Sequence, residues 1–220
     1  MPFEPPVPTP KIPTIVILFT GAYLLPAIGA AVWTHNGEFV FYCAVMLIQA
    51  VLVVVTHRRC AFSQPVLWGL SLWGLAHMVG GLVPVPESWP TNGPIRVVYS
   101  WWIIPNRLKY DQVVHAFGFY VMTCVCWQGL TAIVRDLRPA HPWQPTFGAL
   151  LLCTAASTGF GALNEVIEFV ATLLVPETNV GGYVNTGWDL VSNLVGATAA
   201  AIWIRLAWKP LTADQKPSTT

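Results

Sequence analysis

Four carboxylic acids, two imidazoles and two amides stand inside or at the edges of otherwise apolar stretches, and these are the side chains equipped for chemistry. They are His77; Asp111 and His115; Asn164, Glu165 and Glu168; and Asp189 and Asn193. Asp111 and His115 are four residues apart, as are Asp189 and Asn193, and Glu165 and Glu168 are three apart. On helices each set therefore shares a face. Glycines recur on the same faces: Gly74 and Gly81 flank His77, Gly118 follows His115, and Gly196 follows Asn193. Small residues of this kind let helices approach closely.

A charged group at the centre of a bilayer costs about 2.5–3.5 kcal/mol on insertion scales, so each must face protein or water and find a partner. Asp111, Glu165, Glu168 and Asp189 together bring four negative charges. Protonation, pairing with basic side chains, or a bound cation can offset them. Two neutral imidazoles with several carboxylates form a ligand set suited to Zn²⁺, Mn²⁺ or Fe²⁺, and less to Mg²⁺ or Ca²⁺ because of the nitrogens. In that reading His77, Asp111, His115, Glu165 and Asp189 hold the metal. Glu168 is the general base of a metal-assisted hydrolase or transferase acting on a lipid or envelope substrate. Asn193 orients Asp189 or the substrate, and Asn164 supports the site. Carboxylate-rich di-metal sites between helices are comparable, although their Glu-x-x-His element is missing. Two other readings stay open. Arg107 and Lys109 beside Asp111 allow a structural metal or ion-pair lock in a non-catalytic membrane factor, and the same groups suit a small transporter or proton relay.

The elements that must position these residues are membrane spans. Of 220 residues 55% are hydrophobic and only 10% charged, whereas a soluble domain carries about 25% charged residues. A net charge of +1 leaves no excess of Lys and Arg for phosphates, which excludes a nucleic-acid partner. Crossing the hydrocarbon takes about 20 apolar residues, and six stretches qualify: 12–33, 39–56, 65–83, 112–134, 147–175 and 188–208. The fifth invites a break at Gly159-Phe160-Gly161. Val97–Ile104 is apolar but too short to cross, so it is expected to be interfacial or re-entrant. With both termini in the cytoplasm, inner loops collect eight basic residues (Lys11, Arg58, Arg59, Arg135, Arg138, Arg205, Lys209, Lys216) and outer ones three (Arg96, Arg107, Lys109), as the positive-inside rule asks.

The expected fold is thus an all-α, polytopic six-helix transmembrane bundle, with both termini cytoplasmic. Residues 1–11 form a disordered Pro-rich head, 12–209 one membrane domain, and 210–220 a disordered tail. The polar set falls near the outer ends of spans three to six. None of the five cysteines (Cys43, Cys60, Cys124, Cys126, Cys153) lies in an outer loop on this topology, so no disulfide framework is expected. Cys124 and Cys126 point about 200° apart on a helix, and His35, His57 and His141 read as loop residues. Tryptophans near span ends, such as Trp33, Trp101 and Trp188, suit an interfacial belt.

Around the polar residues, "AHMVGG" with His77, "NRLKYDQVVHAFGFY", "NEVIEF" and "WDLVSNLVGA" resemble the YjdF-like bacterial inner-membrane family across roughly residues 65–200. The last three are also similar to the VanZ-like pattern of Asp-x-x-x-His, an intramembrane Glu region and Asp-x-x-x-Asn-x-x-Gly. VanZ-like proteins tend to carry Glu-x-x-Gln where this chain has Glu165 and Glu168, which favours the first family over the second and its association with glycopeptide-antibiotic resistance. The resemblance implies a multi-pass protein of the bacterial cytoplasmic membrane and supplies no reaction. Neither it nor the spacing sets an oligomeric state.

Overall fold

Local signals fix where several helices begin. In the computed structural model, which describes residues 10–137, 144–176 and 178–208, Pro13 precedes α1 (Thr14–Trp33). The Asn36 side chain caps α2 (Gly37–Cys60) by accepting from the Phe39 N–H at 3.1 Å. Proline at the start of α3 (Gln64–Leu82) suits a position whose N–H has no helical partner. A 3-10 turn at Val98–Ser100 and a hairpin of β1 (Trp102–Ile104) and β2 (Leu108–Lys109) lead into α4 (Tyr110–Leu137). Thr146 caps α5 (Phe147–Leu174) through the Ala149 N–H at 3.3 Å, and α6 (Tyr183–Ala207) follows.

All six helices are long and apolar enough to cross a membrane. Their outward faces carry large apolar side chains such as Leu18, Ile48, Leu152, Phe169 and Ile202, which water would not tolerate in such numbers and lipid does. The chain is an all-α polytopic bundle in contact with the bilayer.

Cross-helix contacts set the directions. His115 and Asn193 pair across α4 and α6, and Gly196 lies one turn further on against Ala116, so these two helices run parallel. α5 runs opposite to both: Ser157 donates to the Phe119 carbonyl at 3.1 Å, while Glu165, two turns later, faces His115. α1 and α3 are parallel through Thr20 and Ser71, 2.6 Å apart, and α2 antiparallel to α3 through Cys43 and Met78. Consecutive helices therefore alternate in direction. α4 and α6 begin at the end where α3 and α5 finish, which is what gathers the polar residues.

α5 does not break at Gly159-Phe160-Gly161 but is continuous, and Gly161 packs against Asn193. Val97–Ile104 forms the 3-10 turn and first hairpin strand. It is folded over the bundle end, with Trp89 and Trp101 packed at a tilt 4.4 Å apart and Arg96 donating to the Pro86, Glu87 and Trp89 carbonyls. His57 is no loop residue: it lies in the last turn of α2, buried, with both ring nitrogens unpartnered. His141, the tail after 209 and residues 1–9 of the Pro-rich head lie outside the described residues.

Candidate functional site

Asp111 opens α4 and His115 follows one turn later, while on α6 the series Asn185, Asp189, Asn193 repeats every four residues. Because the two helices are parallel and close, the rows interdigitate. His115 Nδ1 lies 3.0 Å from Asn193 Oδ1, and Asn185 Nδ2 donates to Asp189 Oδ2 at 2.5 Å, with Asp111 Oδ2 at 3.5 Å. α5 adds Glu165, whose Oε1 is 3.9 Å from His115 Nδ1, and Glu168, which accepts from Asn164 Nδ2 at 2.9 Å. Asp189 and Asn193 are fully buried.

Two groups of ligand-type atoms result, and His115 belongs to both: Asp111, His115 and Asp189; and His115, Glu165 and Glu168, the atoms of each lying within 4.8 Å of one another. Metal–ligand bonds of about 2.1 Å in a tetrahedral shell place donors about 3.4 Å apart, so either group would have to draw in from its present spacing to hold an ion.

His115 Nδ1 lies against Asn193 Oδ1, and Nε2 is 3.5 Å from Asp111 Oδ1. In the neutral tautomer with its proton on Nδ1, the Nε2 lone pair faces that carboxylate. Two lone pairs facing each other in a buried place repel unless a cation lies between them. Asp189 Oδ1 and both Glu165 oxygens are buried without a hydrogen-bond partner, and such orphaned acceptors are costly to keep.

Lys109 meets part of this demand. Its Nζ is 3.5 Å from Asp111 Oδ2, donates to Asn185 Oδ1, and is buried. One ammonium against four carboxylates still leaves three negative charges uncompensated, and Lys109 does not contact Asp189 or the Glu pair in any hydrogen bond or ion pair among the described residues.

His77 stands apart. It belongs to neither group of ligand atoms, and its Nδ1 is held by the Tyr99 hydroxyl. Tyr99 lies outside the spans. Burial first, and then the charges of Asp111 and Glu168, raise its phenol well above the usual range, so it keeps its proton. The contact with Tyr99 occupies His77 Nδ1. His77 lines, with Asp111 and Glu168, a cavity of about 290 Å³ beneath the 92–100 and 178–181 segments. Glu165, His115 and Asp189 do not line it. Glu168 is therefore the carboxylate of the second group that faces both His115 and the open space.

Sequence spacing missed three contributors. Asn185 shares the face of Asp189 and was findable once α6 began at Tyr183 rather than Trp188. Tyr99 carried no periodic signal, since a 3-10 turn places it. Glu38, buried in the first turn of α2 and accepting from the Asn179 N–H at 3.0 Å, resembles any acid at a helix start.

Asn193→Leu tests the role of the amide: it removes the acceptor that fixes the His115 ring. Divalent-ion affinity, measured by competition with a chelating dye, is expected to fall about 10–100-fold, as when the groups that orient a ligand are lost.

Comparison with known proteins agrees with a membrane protein. A protein of Thermotoga maritima, described as uncharacterised, is 27% identical over 108 residues, covering 46% of this chain and 53% of that protein. The chain thus spans about half of that relative's length. No solved structure matches. The model of a family described as "Predicted membrane protein (DUF2238)" matches residues 15–209, nearly the whole bundle, and the chain belongs to that family.

Proposed function

We propose that this is a metal-assisted hydrolase or transferase of the bacterial cytoplasmic membrane, YjdF-like in kind, acting at the outer leaflet on a lipid or envelope substrate. The observation that carries it is His115 Nε2 turned toward Asp111 Oδ1 at 3.5 Å, with Asp189 Oδ1 unpartnered beside them. Asp111, His115 and Asp189 would hold one divalent ion, with nitrogen and oxygen donors suited to Zn²⁺, Mn²⁺ or Fe²⁺. Such an ion acidifies a bound water and polarises a substrate oxygen. Glu168 faces the cavity, and Asn164 holds its carboxylate in place to take up the proton. Asn193 holds the His115 ring, and Lys109 holds Asp111. Both termini lie in the cytoplasm in this reading.

Glu168→Gln is the test. Hydrolysis of an envelope-lipid extract, read as release of water-soluble product, is expected to fall about 10²–10⁴-fold, the range for losing a general base. Metal content and thermal midpoint stay as in the wild type. Loss of metal or unfolding with no catalytic deficit overturns the reading.

Acidity gives a second check. Protons compete with the ion for His115, so occupancy is lost as pH falls through the range in which the imidazole takes up its proton. Full occupancy at pH 5, measured by elemental analysis after dialysis, contradicts histidine ligation.

The Lys109–Asp111 pair favours one rival, a non-catalytic ion-pair lock in which His115 is an imidazolium between the carboxylates. A lock predicts no metal at any pH.

A further inference from the structure

We propose that residues 178–181 form a lid over the cavity, with Asn179 as its latch, and that solutes enter and leave while the latch is released. Lid opening governs access and is independent of whether the site holds a metal.

The two rims of the cavity mouth are built differently, and the difference decides which one moves. One rim is the 92–95 stretch with Tyr99 and Ser100. Backbone bonds tie this loop together: the N–H groups of Val85, Asn92 and Trp102 donate to the carbonyls of Arg96, Ser100 and Pro90 at 2.8–3.1 Å. Arg96 adds donations to the Thr91 hydroxyl and to three carbonyls of the same loop.

The other rim is four consecutive residues, Thr178 to Gly181, without regular structure between α5 and α6. Among the described residues, every hydrogen bond of this stretch belongs to Asn179. Its N–H donates to Glu38 Oε2 at 3.0 Å, and its side chain meets Ser100 Oγ at 3.3 Å. The cost of opening a segment follows the hydrogen bonds and packing that must be given up. Releasing one residue frees this rim, whereas the opposite rim would have to lose a whole set of backbone bonds. The 178–181 side is therefore the one that opens.

The latch is set on rigid parts. Glu38 is buried in the first turn of α2, and Ser100 ends the 3-10 turn. A carboxylate accepting from a backbone N–H makes a stronger bond than a neutral pair, so a single contact keeps the lid closed for most of the time. Both ends of the lid are anchored, by Val175 beside Gly37 at the close of α5 and by Gly182 at the start of α6. Gly181 shows where the closed lid comes to rest. A Cβ there would stand 2.3 Å from the Asn185 Cβ, and Asn185 is the residue that joins Lys109 to Asp189. Closure thus seats the lid directly on the polar site.

Ile167 lines the cavity from α5 and lies off the lid, so Ile167→Cys reports entry. With the full chain in phosphatidylcholine nanodiscs, a membrane-impermeant methanethiosulfonate is expected to modify residue 167 far more slowly than a free thiol, as followed by peptide mass. Adding Glu38→Ala speeds the modification about tenfold, as expected for one lost charge-assisted hydrogen bond. Glu38→Gln, which keeps a neutral acceptor, falls between. Gly181→Ala leaves the latch untouched but props the lid away from Asn185, and it speeds the modification as well. Cys153, buried on α5 and not among the lining residues described, reacts no faster in any of these variants. A parent that reacts like a free thiol overturns the proposal, as do equal rates in all variants, or a parallel rise at Cys153 that marks general loosening. Should Glu38→Ala fail to fold, Glu38→Gln and Gly181→Ala decide. No measurement here uses metal or turnover, so the lid can fall while the hydrolase stands, and the reverse.

Discussion

His115→Ala is expected to lower divalent-ion affinity by more than about 100-fold, a larger loss than that for a group that merely orients a ligand. His115 is the one residue shared by both groups of ligand atoms, and it supplies the only nitrogen in either. Removing it leaves Asp111 and Asp189 from separate helices, with Lys109 beside Asp111 as a competing cation. His77→Ala is expected to retain most of the affinity, since Tyr99 occupies its Nδ1. Titration of Mn²⁺ into detergent-purified protein, followed by electron paramagnetic resonance, separates the two. Equal losses in both variants would return His77 to the metal, and no loss in His115→Ala would remove the site altogether.

Gly196→Val is expected to destabilise the bundle by about 3 kcal/mol, the upper part of the usual range for overpacking. A Cβ at Gly196 would overlap the Ala116 carbonyl oxygen and come within 2.7 Å of the carbonyl carbon. Backbone cannot swing aside as a flexible side chain does, so α4 and α6 must part, and His115 then loses Asn193. For a chain of this size the loss corresponds to a fall of about 6–12 °C in thermal midpoint, readable by circular dichroism in detergent, with metal binding lost in parallel. Gly29→Ala on α1, where nothing lies within 4 Å of the added carbon, is the matched control. It is expected to be neutral or slightly stabilising, because alanine restricts the unfolded chain. A tolerated Gly196→Val would mean that the two helices do not meet there.

The bundle was legible because hydropathy alone identifies spans, and the polar faces because a spacing of three or four residues places side chains together whatever the tertiary fold. What those signals missed has physical reasons. The start of α6 was placed five residues late because Asn185 depresses the hydropathy of its first turns, although its amide reaches Asp111 of α4 and Asp189 of its own helix. His57, Arg58 and Arg59 hid the last turn of α2 in the same way. His77 looked equivalent to His115. They differ in their partners: the Tyr99 hydroxyl holds His77 Nδ1 from a 3-10 turn that no periodicity announces. Glu38 was invisible as a cavity residue because its partner Asn179 is far along the chain, in the connection that closes over the end of α2. DUF2238 membership agrees with the span pattern and adds no residue roles, so the site's chemistry stands on geometry alone.

The uncompensated charge around His115 has two possible carriers, an ion or protons, and one measurement distinguishes them. Elemental analysis of wild-type protein purified in mild detergent at neutral pH, paired with infrared detection of protonated carboxyl groups, is expected to find about one Zn, Mn or Fe per chain and ionised acids, with the metal absent from Asp189→Asn. Metal-free protein showing the carbonyl bands of protonated acids, lost in Glu165→Gln and Asp189→Asn, would contradict the account.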